Sequence, residues 1–250
     1  MGRKDKGAKM SIKWSDDEIK ILSQFETTAK SVYVLYQELI NSGYNRTYKA
    51  VKSKIETMPL RKPERYKTGH GKKIGYFDIE ASGLVGNFSI MLSWAIKTRD
   101  ENEVLHSVIH KEDINSGLMD ARLVEELMDA MRQYDVLCTF YGTNFDIRYT
   151  RTRACAHGIA FPHYREMQHK DIYYQVRRLF KLHSNSLDSA CEFFGIKGKT
   201  RLKPKIWNRA KYGDENALEY IVKHNIADVR ILERLHKKIE RYNTPIVQPL

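Results

Sequence analysis

Long apolar runs are missing from this chain. No window approaches the roughly 18–20 uninterrupted apolar residues that a bilayer-spanning helix needs, and the segment MGRKDKGAKMSIKWSDDEIK and the residues after it hold no apolar signal-peptide core. Membrane insertion is excluded on that basis, and a cytoplasmic location is expected. Cysteine is scarce as well: Cys138, Cys155 and Cys191 are odd in number and widely spaced, which excludes a disulfide framework and a Cys-x-x-Cys metal knuckle and fits a reducing compartment. What is present suffices for a fold. With 250 residues, 42% of them hydrophobic and 11% aromatic, the chain is not disordered as a whole. The length fits one large domain, or one of roughly 150–180 residues with a small companion.

Negative charge is the minority, 31 Asp+Glu against 43 Lys+Arg for a net charge of +12. The excess is concentrated: residues 1–75 carry a balance of +9 and residues 76–250 only +3. A lysine-rich head of this kind is either a solvated tail or a nucleic-acid contact, since clustered cations displace the counterions condensed on phosphates.

The head has internal order. After a basic tail at 1–12, Trp14, Leu22 and Phe25 share a helical stripe, and Ser15 with Glu18 forms a Ser-x-x-Glu capping box. A second apolar-periodic stretch, SVYVLYQELINSG, stops at Gly43. In the third, NRTYKAVKSKIETM, Val51, Ile55 and Met58 face inward while Arg46, Lys49, Lys52 and Ser53 face outward. Three short helices with a basic third one, over 13–58, predict a helix-turn-helix domain, and PLRKPERYKTGHGKK at 59–73 predicts a basic linker.

From residue 74 the pattern is α/β. KIGYFDIEAS, NFSIMLSWAIK, EVLHSVIH and DVLCTFY are predicted as strands, GLMDARLVEELMDAMRQY as an amphipathic helix, and further helices near 145–157, 172–182, 186–194, 204–211 and 214–241. Three strands before the first helix predict a meander that opens a mixed sheet with flanking helices. Side chains alternate along a strand, so Asp78 and Glu80 share one face of the first. Two such carboxylates are costly to bring together unless a hard cation such as Mg²⁺ or Mn²⁺ lies between them; a frayed, solvated strand end is the alternative. Asp146 stands at the start of a helix, as a cap or as part of a site. Tyr220, His224 and Asp228 recur every four residues on one face of the last helix, as a surface pair or as part of that site. Asp171 reads as a helix-start residue.

These residues carry a family resemblance. FDIEASGL, TFYGTNFDIRYTRTR and EYIVKHNIADVRILERL resemble, in order, the three motifs of the DEDD 3′→5′ exonuclease superfamily, which has a ribonuclease H-like fold. DIYYQVRRLFKLHSNSLDSACEFFGI is similar to the segment between the last two motifs in the proofreading domains of family B DNA polymerases and in YprB-type ribonuclease H-like domains. The N-terminal segment, through WSDDEIKIL and RTYKAVKSKI, resembles Myb/SANT-like helix-turn-helix domains.

The resemblance implies an exonuclease domain at 74–243, a short tail at 244–250, and Asp78, Glu80, Asp146 and Asp228 as ligands of two divalent ions, Mg²⁺ or Mn²⁺. His224 stands where the tyrosine subgroup has its water-assisting residue, with Tyr220 one turn earlier in reserve. Nucleic acid, DNA ahead of RNA, is the implied substrate. Expected contacts are Arg46, Lys49 and Lys52 on the N-terminal domain and Leu84, Phe145, Arg148 and Lys199 on the catalytic one. Two rival readings are a non-enzymatic DNA-binding or scaffold protein, and a proofreading subunit whose partner is a DNA polymerase or another replication or repair protein. The implied place of action is the nucleoid or an infected host cell.

Overall fold

The computed structural model describes residues 13–28, 32–58, 72–162, 166–198 and 203–243. The predicted tails at 1–12 and 244–250, most of the predicted linker, and Lys199 lie outside the described residues. The chain divides into two compact units, Met1–Gly69 and His70–Leu250.

The N-terminal unit holds three helices, α1 (Asp16–Thr28), α2 (Val32–Asn41) and α3 (Tyr48–Thr57), around Leu22, Val32, Leu35, Leu39, Val51 and Ile55. The capping box forms at the head of α1: Ser15 N donates to Glu18 Oε2 at 2.8 Å and Glu18 N to Ser15 Oγ at 3.2 Å. Thr47 caps α3 by accepting from Ala50 N at 3.2 Å, without a reciprocal bond.

Arg46 corrects the sequence-based expectation. Its guanidinium lies 4.3 Å over the Trp14 ring and grips Glu18 with two bonds, Nε to Oε1 at 2.6 Å and Nη2 to Oε2 at 2.9 Å. It is an internal clasp between α1 and the turn before α3, and Lys49 is the exposed cation of that helix while Lys52 is half-buried. The Arg46 hydrogen bonds hold the Glu18 carboxyl down at about 2, against the opposing pull of burial. Small cores rarely supply more than about 3–5 kcal/mol, and stranding a buried carboxylate costs about 3 kcal/mol. Arg46→Ala is therefore expected to unfold this unit; amide hydrogen exchange over 13–58 as slow as in the wild type would refute the clasp.

The second unit is built on a five-stranded sheet of β1 (Ile74–Ala81), β2 (Met91–Thr98), β3 (Val104–Val108), β4 (Val136–Thr139) and β5 (Gln168–Asp171), ordered β3-β2-β1-β4-β5. The meander pairs antiparallel, and β4 and β5 add in parallel on the other side of β1. The helices are α4 (Lys111–Asn115), α5 (Ala121–Met131), α6 (Asp146–Ala156), α7 (Ile172–Leu179), α8 (Leu187–Phe193), α9 (Pro204–Ala210) and α10 (Glu215–Glu240).

Alternation along β1 divides the core. Phe77 and Ile79 join Leu123, Leu127 and Met131 of α5 and Ile147 of α6. Tyr76, on the opposite face, joins Ile172 and Val176 of α7, Cys191 of α8, and Val229, Leu232 and Leu235 of α10. Asp78 and Glu80 share the parity of Tyr76 and so project on the α10 side.

Departures from the expected elements have local causes. The second strand starts at Met91 rather than near Asn87, because residues 82–90 form a loop. That loop is fastened by Arg153, whose Nη1 donates to Gly86 O at 2.7 Å. The fourth strand stops at Thr139, because Tyr141 takes a left-handed φ of +67°. The β5 strand and the short α4 were not expected from the sequence.

Behind the sheet, Tyr76 Oη lies 2.9 Å from His236 Nδ1 and Lys170 Nζ 3.0 Å from His236 Nε2. A lysine ammonium can only donate, so Nε2 accepts and Nδ1 carries the proton. Burial, with the nearby Lys170 charge, holds this imidazole neutral, its pKa lowered to about 4. The chain of contacts ties β1, β5 and α10 together.

Candidate functional site

Three elements deliver acidic side chains to one place. Asp78 and Glu80 come from β1, where the register against β2 shifts between Glu80 and Ala81. Asp146 is the first residue of α6, and Asp228 lies on α10. Glu80, Asp146 and Asp228 are buried and Asp78 is half-buried. His224, also buried, stands between two of them, its Nε2 3.6 Å from Glu80 Oε1 and 3.7 Å from Asp228 Oδ2.

The cluster is electrostatically tense. Burial raises the Asp78 carboxyl well above the usual carboxylate range, and repulsion from Asp146, Glu80 and Asp228 pushes it the same way. Burial likewise pushes Asp146 up to about 7, although backbone N–H groups, including that of Ile79 at 3.2 Å from Oδ1, donate to it. The relief for Asp78 is a neutral group: Asn225 Nδ2 donates to Asp78 Oδ2 at 2.6 Å, while Asn225 Oδ1 accepts from Ser93 Oγ at 3.3 Å. Asn225 stands three residues before Asp228, hence on the same helical face. That spacing was the signal by which the sequence could have disclosed it.

The donor set suits a hard divalent cation, which prefers carboxylate oxygen and would neutralise the repulsion. As placed, no group of three His, Cys, Asp or Glu side chains among the described residues forms a ready cage for one ion. A cation would have to draw the carboxylates together against their mutual repulsion.

Beside the cluster opens a mostly apolar cleft of about 500 Å³, lined by Glu80, Leu84, Phe145, Trp207, Asn208 and Lys211 among others. Leu84 and Phe145, both expected from the sequence to touch a strand, thus share one recess with a site carboxylate. Trp207, Asn208 and Lys211, from α9 and the residue following it, were not foreseen. They lie far from Glu80 in the chain, and no motif marks them. Arg148 is exposed on α6 and is not among the residues lining the cleft, and Tyr220 is half-buried one turn before His224 on α10. Tyr149, one turn into α6, is a core residue whose hydroxyl meets Ser89 Oγ at 2.8 Å.

Comparison with known proteins places this architecture. A family model described as the RNase_H superfamily matches residues 75–240. Among solved structures, the family B DNA polymerase from the hyperthermophilic archaeon Pyrobaculum calidifontis is similar, with a TM-score of 0.56 and 20% identity over 68% of this chain. The match covers 25% of the polymerase chain, so the likeness is one of fold to part of a larger protein. No curated protein matches the chain. Among the described residues, no helix is long and apolar enough to cross a membrane.

Proposed function

Because the chain belongs to the RNase_H superfamily, we propose that it hydrolyses phosphodiester bonds of nucleic acid at the Asp78, Glu80, Asp146 and Asp228 cluster, as a 3′→5′ exonuclease on DNA that uses two divalent cations, Mg²⁺ or Mn²⁺. The observation that carries this reading is the convergence of four acids from three elements, Asp78 and Glu80 of β1, Asp146 of α6 and Asp228 of α10, with the last three buried and Asp78 raised by burial and by the charges of the other three. A divalent cation among them would relieve that repulsion.

The four carboxylates would hold the cations, which supply Lewis-acid stabilisation of the charge that builds on the phosphate and ease deprotonation of the attacking water. Asn225 keeps Asp78 oriented through Oδ2. His224 Nε2, between Glu80 and Asp228, is placed to hold a proton during the reaction, and an imidazole suits that task near neutral pH. The cleft gives a base an apolar recess with the Phe145 and Trp207 rings for stacking, while Lys211 offers a cation to the backbone. The N-terminal three-helix unit would engage duplex DNA through the exposed Lys49 of α3.

The test uses 5′- and 3′-labelled single- and double-stranded DNA and RNA with Mg²⁺, Mn²⁺ or EDTA. Stepwise shortening from the 3′ end of DNA, only with metal, is expected. Absence of any metal-dependent product would sink the enzyme reading, and shortening from the 5′ end would reverse its polarity. For the N-terminal unit, Lys49→Ala should weaken duplex binding and reduce the salt slope by about 1. An unchanged slope would remove Lys49 from the DNA contact.

A further inference from the structure

The turn that delivers Asp146 is held by a side chain outside the acidic cluster. Tyr141 sits in the left-handed region at φ +67°, which a residue bearing a Cβ disfavours. Gly142 follows in so tight a place that a Cβ there would stand 2.3 Å from Thr139 Oγ1. Such a turn persists only when its surroundings over-determine it.

Asp171 does this. It ends β5, in register with Thr139 of β4. Its Oδ1 accepts from Tyr141 N at 2.8 Å and its Oδ2 from Thr143 N at 2.9 Å, and Oδ1 also caps α7 by accepting from Tyr173 N at 3.1 Å. Two further contacts seat the same loop on the same helix: the Tyr141 ring meets Tyr173 edge-on at 4.8 Å, and Asn144 Nδ2 donates to Tyr174 Oη at 2.8 Å. The loop so fixed runs directly into Phe145, which lines the cleft, and Asp146.

We infer that Asp171 is a positioning residue: by clamping the Tyr141–Asn144 loop it sets where Asp146 and Phe145 stand, and thereby how tightly the acidic cluster takes a divalent cation. The inference rests on the metal-dependent reading of the site. It assigns Asp171 a task beyond capping α7, and the two tasks are separable. An ionised carboxylate offers two acceptor oxygens and no donor, whereas an asparagine amide would turn a donor toward a loop N–H. Asparagine nevertheless caps helices about as well as aspartate.

The experiment measures Mn²⁺ binding by calorimetry, without nucleic acid, to the full chain as wild type, Asp171→Asn and Asp78→Asn, with thermal midpoints alongside. Asp171→Asn is expected to weaken Mn²⁺ binding about tenfold or more, the range typical of lost outer partners of metal ligands, while the midpoint moves only a few degrees. Should Asp171→Asn fail to fold, Asp171→Ser, which keeps a capping oxygen, is compared in its place. Mn²⁺ affinity equal to wild type in the Asp171 variant overturns the positioning role. A wild type that binds no Mn²⁺, or an Asp78→Asn variant that binds it unchanged, overturns the metal reading and the inference with it.

Discussion

Asp78→Asn is expected to lower metal-dependent cleavage roughly 10³-fold or more and, in EDTA at pH 8, to raise the thermal midpoint above that of the wild type. The first effect follows from the proposed cation, which would supply several kcal/mol of transition-state stabilisation and would lose a ligand. The second follows from the same repulsion seen from the other side: Asp78 is held against burial and three like charges. Asparagine keeps an acceptor oxygen for Asn225 while removing the charge. Measured together, activity and midpoint should move in opposite directions; a variant both inactive and less stable in EDTA would contradict the tension attributed to the cluster.

The pH dependence of the metal-free protein carries the same signature. Asp146 is raised to about 7 in the fold from an ordinary 3.8. Above its ordinary value the unfolded chain gives up the proton and the folded one keeps it, so this group erodes stability as pH rises from about 4 to about 7. His236, lowered to about 4, acts in reverse and erodes stability as pH falls from about 6.5 toward 4. The Asp146 contribution is therefore sought as the difference between wild type and Asp146→Asn in EDTA. The wild type should lose ground to the variant across that window, and parallel profiles would exclude the effect.

Asp120→Ala is the substitution expected to cost most in stability. Asp120 has no exposed surface, and it accepts from Met91 N at 2.7 Å, Arg153 Nη2 at 2.6 Å and Nε at 2.9 Å, with His157 Nε2 at 2.7 Å. Burial works to raise its pKa, but the bonds from His157, Arg153 and the Met91 amide overcome it and hold the carboxyl below its ordinary value. Alanine would leave the buried Arg153 cation unpaired, a loss of about 3–5 kcal/mol. For a unit of this size that lowers the midpoint by roughly 10 °C. It should also speed proteolysis at 82–90, since the loop hangs on Arg153 through Gly86 O. A circular-dichroism melt within 2 °C of wild type would refute this assignment.

Legibility in the sequence followed the range of the interaction. The capping box at Ser15 and Glu18, the alternation along β1 and the four-residue spacing on α10 are local patterns, and each appears in the structure where it was expected. Arg46 misled because periodicity puts it outward, while its partner Glu18 lies 28 residues away. The β5 strand, Gln168–Asp171, is an edge strand of polar residues, without the apolar alternation that marks a strand. Trp207, Asn208 and Lys211 reach the cleft only through the packing of α9, and α10 follows it. Asp171 was legible as a helix start but not as the acceptor for a loop 30 residues earlier.

The 26-residue helix α10 makes the chemistry and the anchorage parts of one rigid rod about 39 Å long. His224, Asn225 and Asp228 occupy its middle, and the stretch beyond holds His236 against Tyr76 and Lys170 and Glu240 against Arg99. A single inserted residue between Asp228 and His236 would turn one group relative to the other by roughly 100°, so either the acids or the anchor would lose its partners. The count of residues from Asp228 to His236 is thus fixed by both ends at once.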